Sequence, residues 1–372
     1  MNSRLRSSDW LLGGLLGIWS FFSFQSGRDD FSYDFGNYVA YFERIRDLSL
    51  EDIWAQLQAF FPYPYILVPP AGFFEVGFAV AVWSLLATGL DGETTYAIVG
   101  TLSIVARVLL MRSLGVGWLS TALATVYSVT LFEANAIRLG CALTATVGTL
   151  WAWKHGHRVL GTLLLALAAS FHLQSLAYTL PLAVGLIVAP VLERGLLWRA
   201  AALAINLMAA LALVYAPGIS DFGKLNEYAD TAAGSVGLNA ASLSGLVTLT
   251  LASALYLAGG NGKVGGTDQR LWSATHLAAL PGLVLVLLAT SMGALGDRVW
   301  QFAFIGAVAA LPLARATAYN TGKRGTYNLY ATALSLSLLI AAVNVTIRYP
   351  LSNFFVPFLP YAPITPATLI VL

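Results

Sequence analysis

The sequence predicts an all-α polytopic membrane protein with about 11–13 transmembrane helices. Three observations carry that expectation. The chain is 58% hydrophobic and only 10% charged, whereas an ordinary soluble domain is about 25% charged. Its mean hydropathy is +0.74. Its apolar residues fall into a succession of runs divided by short loops, with no polar stretch large enough for a soluble domain and no internal repeat. At roughly 20 residues per span plus loops, the 372 residues accommodate that number of helices as one integral membrane domain, 1–372. The single cysteine, Cys141, lies in an apolar run, which excludes a disulfide framework and a thiolate metal cluster. The net charge of +2 gives no basis for a nucleic-acid partner, and none is expected. What matters is which loops carry Lys and Arg.

Residues 10–24 form the first span. No small-residue cleavage site follows them, so no cleavable signal peptide is expected. Arg4 and Arg6 precede this span and argue for a cytoplasmic N-terminus. A long polar loop, 26–72, comes next. Within it Asp30, Asp34, Tyr38 and Tyr41 are spaced by four, four and three residues, so a helix would put them on one face. That face suits sugar binding or deprotonation of a hydroxyl, and equally a solvated amphipathic surface helix. Residues 50–61 are amphipathic, with Trp54, Leu57, Phe60 and Phe61 on one side, as in a helix lying in the membrane interface. Pro62, Pro64, Pro69 and Pro70 then forbid regular helix.

Residues 72–90 are hydrophobic and carry Glu75 near their start; 94–110 follow, with Arg107 and Arg112 at the end. Further spans are expected at 118–132, 139–153, 159–171, 173–190, 200–216, 243–258, 271–292, 299–314 and 327–347, and 217–241 forms a second polar loop. Basic loops at 154–158, 194–199, 263–270 and 315–324 alternate with turns poor in Lys and Arg. Taking the basic loops as cytoplasmic places Arg138, His172, the 217–241 loop and Arg298 on the periplasmic side. Simple counting of crossings then puts Arg112 on the wrong side. A partial or re-entrant segment near 62–90 restores the parity, and an external N-terminus is the alternative.

Ionisable groups within or at the ends of spans cost about 2.5–3.5 kcal/mol each to insert and usually line a polar cavity. Asp34, Glu75, Arg107, Glu133, Arg138, His172, Asp297 and Arg298 are the candidates. Each has a bland reading: Glu75 as a helix N-terminal charge, Arg107 and Arg112 as snorkelling groups, Glu133 with Arg138 and Asp297 with Arg298 as local pairs, His172 as a satisfied core histidine. Their shared predicted side favours one cavity. No cofactor is expected: Gly259 to Gly266 match no nucleotide fingerprint, and His155 and His157 look structural. No metal site is expected either, although Asp29, Asp30 and Asp34 have a spacing that could hold a divalent ion.

Four pieces in order resemble the EpsG family, which includes Wzy-type polymerases of bacterial O-antigens, capsules and exopolysaccharides. They are Asp34-Phe-Gly-Asn-Tyr38, Glu75-Val-Gly77-Phe, Asn135-Ala-Ile-Arg138-Leu-Gly-Cys-Ala142 and Ala169-Ser-Phe-His172-Leu-Gln-Ser175. Asp297-Arg298 falls where that family tends to have a further arginine. The resemblance covers most of residues 1–180. Leu139 departs from the family's frequent Gln, and 217–241 shows no family pattern. The resemblance implies a GT-C-like architecture in the bacterial inner membrane. It implies an enzyme that joins oligosaccharide repeat units carried on undecaprenyl diphosphate at the periplasmic face.

On this expectation Asp34 or Glu75 is the general base, and His172 orients the sugar or shares the proton transfer. Arg138 and Arg298 hold the diphosphate. Tyr33, Tyr38, Tyr41 and the aromatics at 60–65 stack on sugar rings. A carboxylate suits deprotonation of an attacking hydroxyl, and guanidinium suits a diphosphate leaving group. A chain-length regulator is a possible protein partner, and the lipid bilayer is the solvent. The alternatives are a membrane glycosyltransferase using a polyprenyl-phosphate sugar donor, a lipid-linked glycan flippase or transporter, and an O-antigen ligase.

Overall fold

The structure, a computed structural model, describes residues 5–26, 35–59, 65–68, 72–129, 136–172, 175–192, 195–215, 240–257, 266–288 and 302–348. These segments are helical apart from one hairpin, which is the feature the all-α expectation lacks. Strands β1 (Tyr65–Val68) and β2 (Gly72–Glu75) pair antiparallel, with Tyr65 opposite Glu75 and Val68 opposite Gly72. The hairpin lies where the prolines bar helix, and it divides the expected 72–90 span. Only Val76–Leu86 remains helical there, as α4. Its 11 residues extend about 16 Å, short of a hydrocarbon core of about 30 Å.

The first helix, α1 (Ser7–Ser26), packs antiparallel on α5 (Gly92–Leu114). Gly13 faces Leu109, Gly17 faces Val105, and Phe24 meets Tyr96 edge-on. The outer face of α1 exposes Leu11, Leu15, Ile18 and Phe22, an apolar stripe at helical spacing that suits lipid. At its start Asp9 pairs with Arg112 at 3.0 Å. Arg112 therefore sits at the same end of the bundle as the start of α1.

The loop expected at 26–72 is structured in the parts described. Helix α2 (Phe35–Arg46) buries Tyr38, Phe42 and Ile45. Helix α3 (Leu50–Ala59) opens on a reciprocal cap: Ser49 Oγ accepts from the Asp52 N–H and Asp52 Oδ2 accepts from the Ser49 N–H. Ile53 is its buried residue, while Trp54 is 63% exposed and points away from the core. Leu57, Phe60 and Phe61 lie outside the described side chains. The end of α2 is tied to the start of α5, since Glu43 accepts from the Gly92 N–H and Arg46 donates to the Leu90 carbonyl. Asp91 caps α5 by accepting from the Thr94 N–H at 2.7 Å, and Gly115 ends it in the left-handed region at φ 96°.

Helix α6 (Trp118–Ser128) returns along α5, and α7 (Ile137–Lys154) runs parallel to α5. Trp151 donates to Ser113, and Lys154 donates to the Leu114 carbonyl. Helix α8 (Arg158–Phe171) packs back along α7 and exposes Val159, Leu160, Leu163 and Leu167. The rest comprises α9 (Leu176–Leu192), α10 (Leu196–Tyr215), α11 (Ala240–Leu257), α12 (Thr267–Leu288), α13 (Phe302–Ala309), α14 (Leu311–Asn320) and α15 (Arg324–Arg348).

Among the described residues, Gly92–Leu114 and Arg324–Val343 are long and apolar enough to cross a bilayer. The pair Phe302–Ala309 and Leu311–Asn320, bent by 51°, makes a third if it acts as one span. That is fewer than the 11–13 crossings expected from composition. Several other apolar helices have described parts of only 10–17 residues, which is about 15–26 Å. The observed architecture is thus a helical protein compatible with membrane insertion.

Candidate active site

Four separated segments meet near the start of α7. Glu75 ends β2 and stands at the N-cap of α4, with φ −65° and ψ 135°. Its carboxylate does not cap that helix. It turns inward, and Glu75 is 3% exposed. Arg138 lies in the first turn of α7 and donates from Nη1 to Glu75 Oε2 at 2.5 Å. His172 leaves the end of α8 in extended geometry and brings Nδ1 to 3.0 Å from Glu75 Oε1. Tyr38, on α2, accepts a 3.3 Å hydrogen bond from Arg138 Nε, and its ring lies 5.9 Å from the guanidinium carbon.

The local sequence explains how these groups are held. Gly77 lets α4 approach α8 directly. A Cβ there would lie 2.2 Å from Ser170 Oγ and 3.0 Å from the Ser170 carbonyl. That contact sits two residues from Glu75 and two from His172. Behind Tyr38, the rings of Phe42, Phe78 and Tyr96 form an aromatic wall, with centroids 5.9 to 6.5 Å from Tyr38. Tyr41 meets Tyr38 edge-on at 6.3 Å and is half-buried.

The electrostatics follow from burial. A cation in the first turn of a helix opposes the helix dipole, so Arg138 is favoured there only with anionic company. Glu75 supplies part of it. A buried carboxylate costs several kcal/mol unless paired and hydrogen-bonded, and both oxygens of Glu75 are engaged. A carboxylate accepts and does not donate. Neutral His172 therefore places its proton on Nδ1 and keeps its lone pair on Nε2. Arg138 retains 21% side-chain exposure, against 5% for Glu75 and 8% for His172.

Of the residues expected in the site, Glu75, Arg138, His172 and Tyr38 are in direct contact and Tyr41 adjoins them. Asp34 and Arg298 lie outside the described residues, as do Tyr33, Glu133 and Asp297. The sequence reading had Glu75 and Arg138 facing ligand separately, whereas they face each other. Arg107 does not snorkel. It is 1% exposed and donates to Ser128 Oγ, Thr144 Oγ1 and the Gly140 carbonyl, two residues along α7 from Arg138. His155 donates from Nδ1 to the Trp151 carbonyl and its ring lies tilted beside the Trp151 ring, a structural role. Among the described residues no three His, Cys, Asp or Glu side chains gather as metal ligands. The aromatic wall at Phe78 and Tyr96 and the Arg107 network were not anticipated. The signal for Arg107 is the Ser and Thr residues that punctuate three otherwise apolar helices.

No protein-family model, curated protein or solved structure matches the chain. The site's own geometry is what bears on its chemistry. An imidazole held by a carboxylate, a neighbouring guanidinium and a wall of aromatic rings suit proton transfer beside an anion.

The two ends of the bundle differ in charge. Glu43, Glu51, Asp52, Asp91 and Glu93 lie near the site end, with Arg44 and Arg46 among them. Arg112, Lys154, Arg158, Arg315, Lys323 and Arg324 lie at the other end, with Asp9 and Asp268 among them. The 18 residues of α7 separate these ends by about 27 Å. The Thr94 N–H and hydroxyl hold the Asp91 carboxyl below the usual carboxylate range, and Ser49 does the same to Asp52.

Proposed function

We propose that this protein is a membrane glycosyltransferase of the Wzy type that joins oligosaccharide repeat units carried on undecaprenyl diphosphate. The observation that carries the reading is the contact cluster of Glu75, Arg138, His172 and Tyr38, drawn from four parts of the chain. The excess of Lys and Arg at the far end supports a periplasmic orientation of the site by the positive-inside rule. The short motifs that resemble the EpsG family are those that supply the clustered residues.

In this mechanism His172 Nε2 accepts the proton of the attacking sugar hydroxyl. Glu75 fixes the tautomer and stabilises the imidazolium that forms, as a carboxylate does in other His-based sites. That assignment moves Glu75 from base to orienting group, since both of its oxygens are already used. Arg138 binds the diphosphate, whose charge grows as the glycosidic bond breaks. Tyr38 and Tyr41 line the sugar path.

The test is complementation of a polymerase-deficient host with Arg138→Ala and His172→Ala, read as a polysaccharide ladder on a gel. Loss of long chains with normal protein levels supports the reading. Normal ladders from both variants contradict it. One added sugar instead of a ladder identifies simple glycosyl transfer, and accumulation of untransported lipid-linked repeat units identifies a flippase.

A further inference from the structure

A second concavity of about 570 Å³ opens at the basic end, between the α5–α6 turn, α14 and α15. Three features of it converge. Arg315 lines it, and Arg315 and Arg324 both lie against the ring of Tyr319, at 5.5 and 4.4 Å. Among the described residues neither guanidinium has a carboxylate within salt-bridge distance. Two cations gathered about one ring repel each other, and an anion bound near them offsets that repulsion.

The second feature is the start of α6. Its N-cap, Gly117, lines the cavity and offers no side-chain cap. The first-turn N–H groups of a helix lack intrahelical acceptors and favour an anion. The Ser120 and Tyr327 side chains supply hydroxyls in the same lining. The third feature is an apolar border. Val116, Leu311 and Pro312 line the cavity. Arg112 adds no free charge, being paired with Asp9 and stacked on Trp118.

We propose that this cavity is a phosphate-binding site built for an amphiphile: Arg315, Arg324 and the α6 N-terminus hold a phosphate while the apolar border receives glycerol and acyl carbons. A guanidinium fork and uncapped amides match phosphate oxygens. The inference stands apart from the glycosyl-transfer reading, because it uses the opposite end of the bundle and none of its residues.

The experiment is thermal unfolding of the purified full chain in a nonionic detergent, titrated separately with phosphatidylglycerol, diacylglycerol and inorganic phosphate. The variants are Arg315→Gln, Arg324→Gln and, as a control for net charge, Arg158→Gln. Arg315 and Arg324 are exposed, so both variants fold, shown by an unchanged midpoint without ligand. Phosphatidylglycerol stabilises the wild type and Arg158→Gln alike, diacylglycerol does not, and the apparent affinity falls tenfold or more in Arg315→Gln and Arg324→Gln. Stabilisation by inorganic phosphate alone, lost in the same two variants, supports the site with a free phosphoanion as its ligand. Equal binding by all variants, equal stabilisation by diacylglycerol, or no shift with either phosphate source overturns the proposal.

Discussion

The pairing of Glu75 with Arg138 makes a prediction that separates its structural from its chemical part. Arg138→Met removes the guanidinium and leaves a carboxylate that is 3% exposed, with His172 as its remaining partner in the cluster. Breaking a buried ion pair from one side costs about 3–5 kcal/mol. Arg138 keeps 21% side-chain exposure, which puts the expected cost near the lower end, about 3 kcal/mol. Glu75→Leu removes the carboxylate from the cation instead, at a similar cost. The double variant removes both charges and leaves an apolar pair, so it recovers about 1–3 kcal/mol relative to the sum of the singles. The assay is thermal or denaturant unfolding of the four proteins in the same detergent. Additive losses would mean that the two groups do not share one buried site, and the cluster argument would fall. Polymer formation is lost in all three variants, including the double variant that regains stability.

Three further outcomes follow from the same geometry. Gly77→Ala, whose Cβ meets Ser170 at 2.2 Å, pushes α4 from α8, and Gly77→Ala/Ser170→Gly recovers part of the activity; polymer yield in the complemented host checks both. Tyr38→Phe costs about 1 kcal/mol by removing the acceptor of Arg138 Nε. Tyr38→Ala costs more, because it also opens the aromatic wall; unfolding midpoints check the order. Asp91→Ala costs about 1 kcal/mol at neutral pH by removing the α5 cap. The Asp91 carboxyl is held below its ordinary value, so its stabilisation is complete above about pH 4 and fades as pH falls through the folded value. The gap between variant and wild type narrows in acid and stays constant from there to neutral pH, as unfolding measured across pH will show.

The individual site residues were legible because charge inside apolar runs is costly and conspicuous. Glu75, Arg138 and His172 stand out on that ground alone. Their direct contacts were not legible, since they link positions 63 and 97 residues apart and only the packing of α4, α7 and α8 decides them. The same limit hid Arg107. In sequence it looks like a residue near the end of a span, and its burial depends on hydroxyls from α6 and α7. Between the prolines Tyr65–Val68 is strand and not helix, as their spacing requires, but nothing in the sequence said that it would pair with Gly72–Glu75. Among the described residues two or three helices are long and apolar enough to cross a bilayer, against the 11–13 expected, because hydropathy counts apolar residues without measuring unbroken helix. At 76–86 the run is apolar enough, and the helix is simply too short.

The most direct measurement is transfer by the purified protein in liposomes, with an oligosaccharide on polyprenyl diphosphate as the only substrate. Wild type yields a ladder of lengthened glycans and releases the lipid diphosphate, while Arg138→Met and His172→Ala yield neither. A ladder of the same yield from those two variants, or none from the wild type, contradicts the assignment of the Glu75–Arg138–His172 cluster as the site of glycosyl transfer.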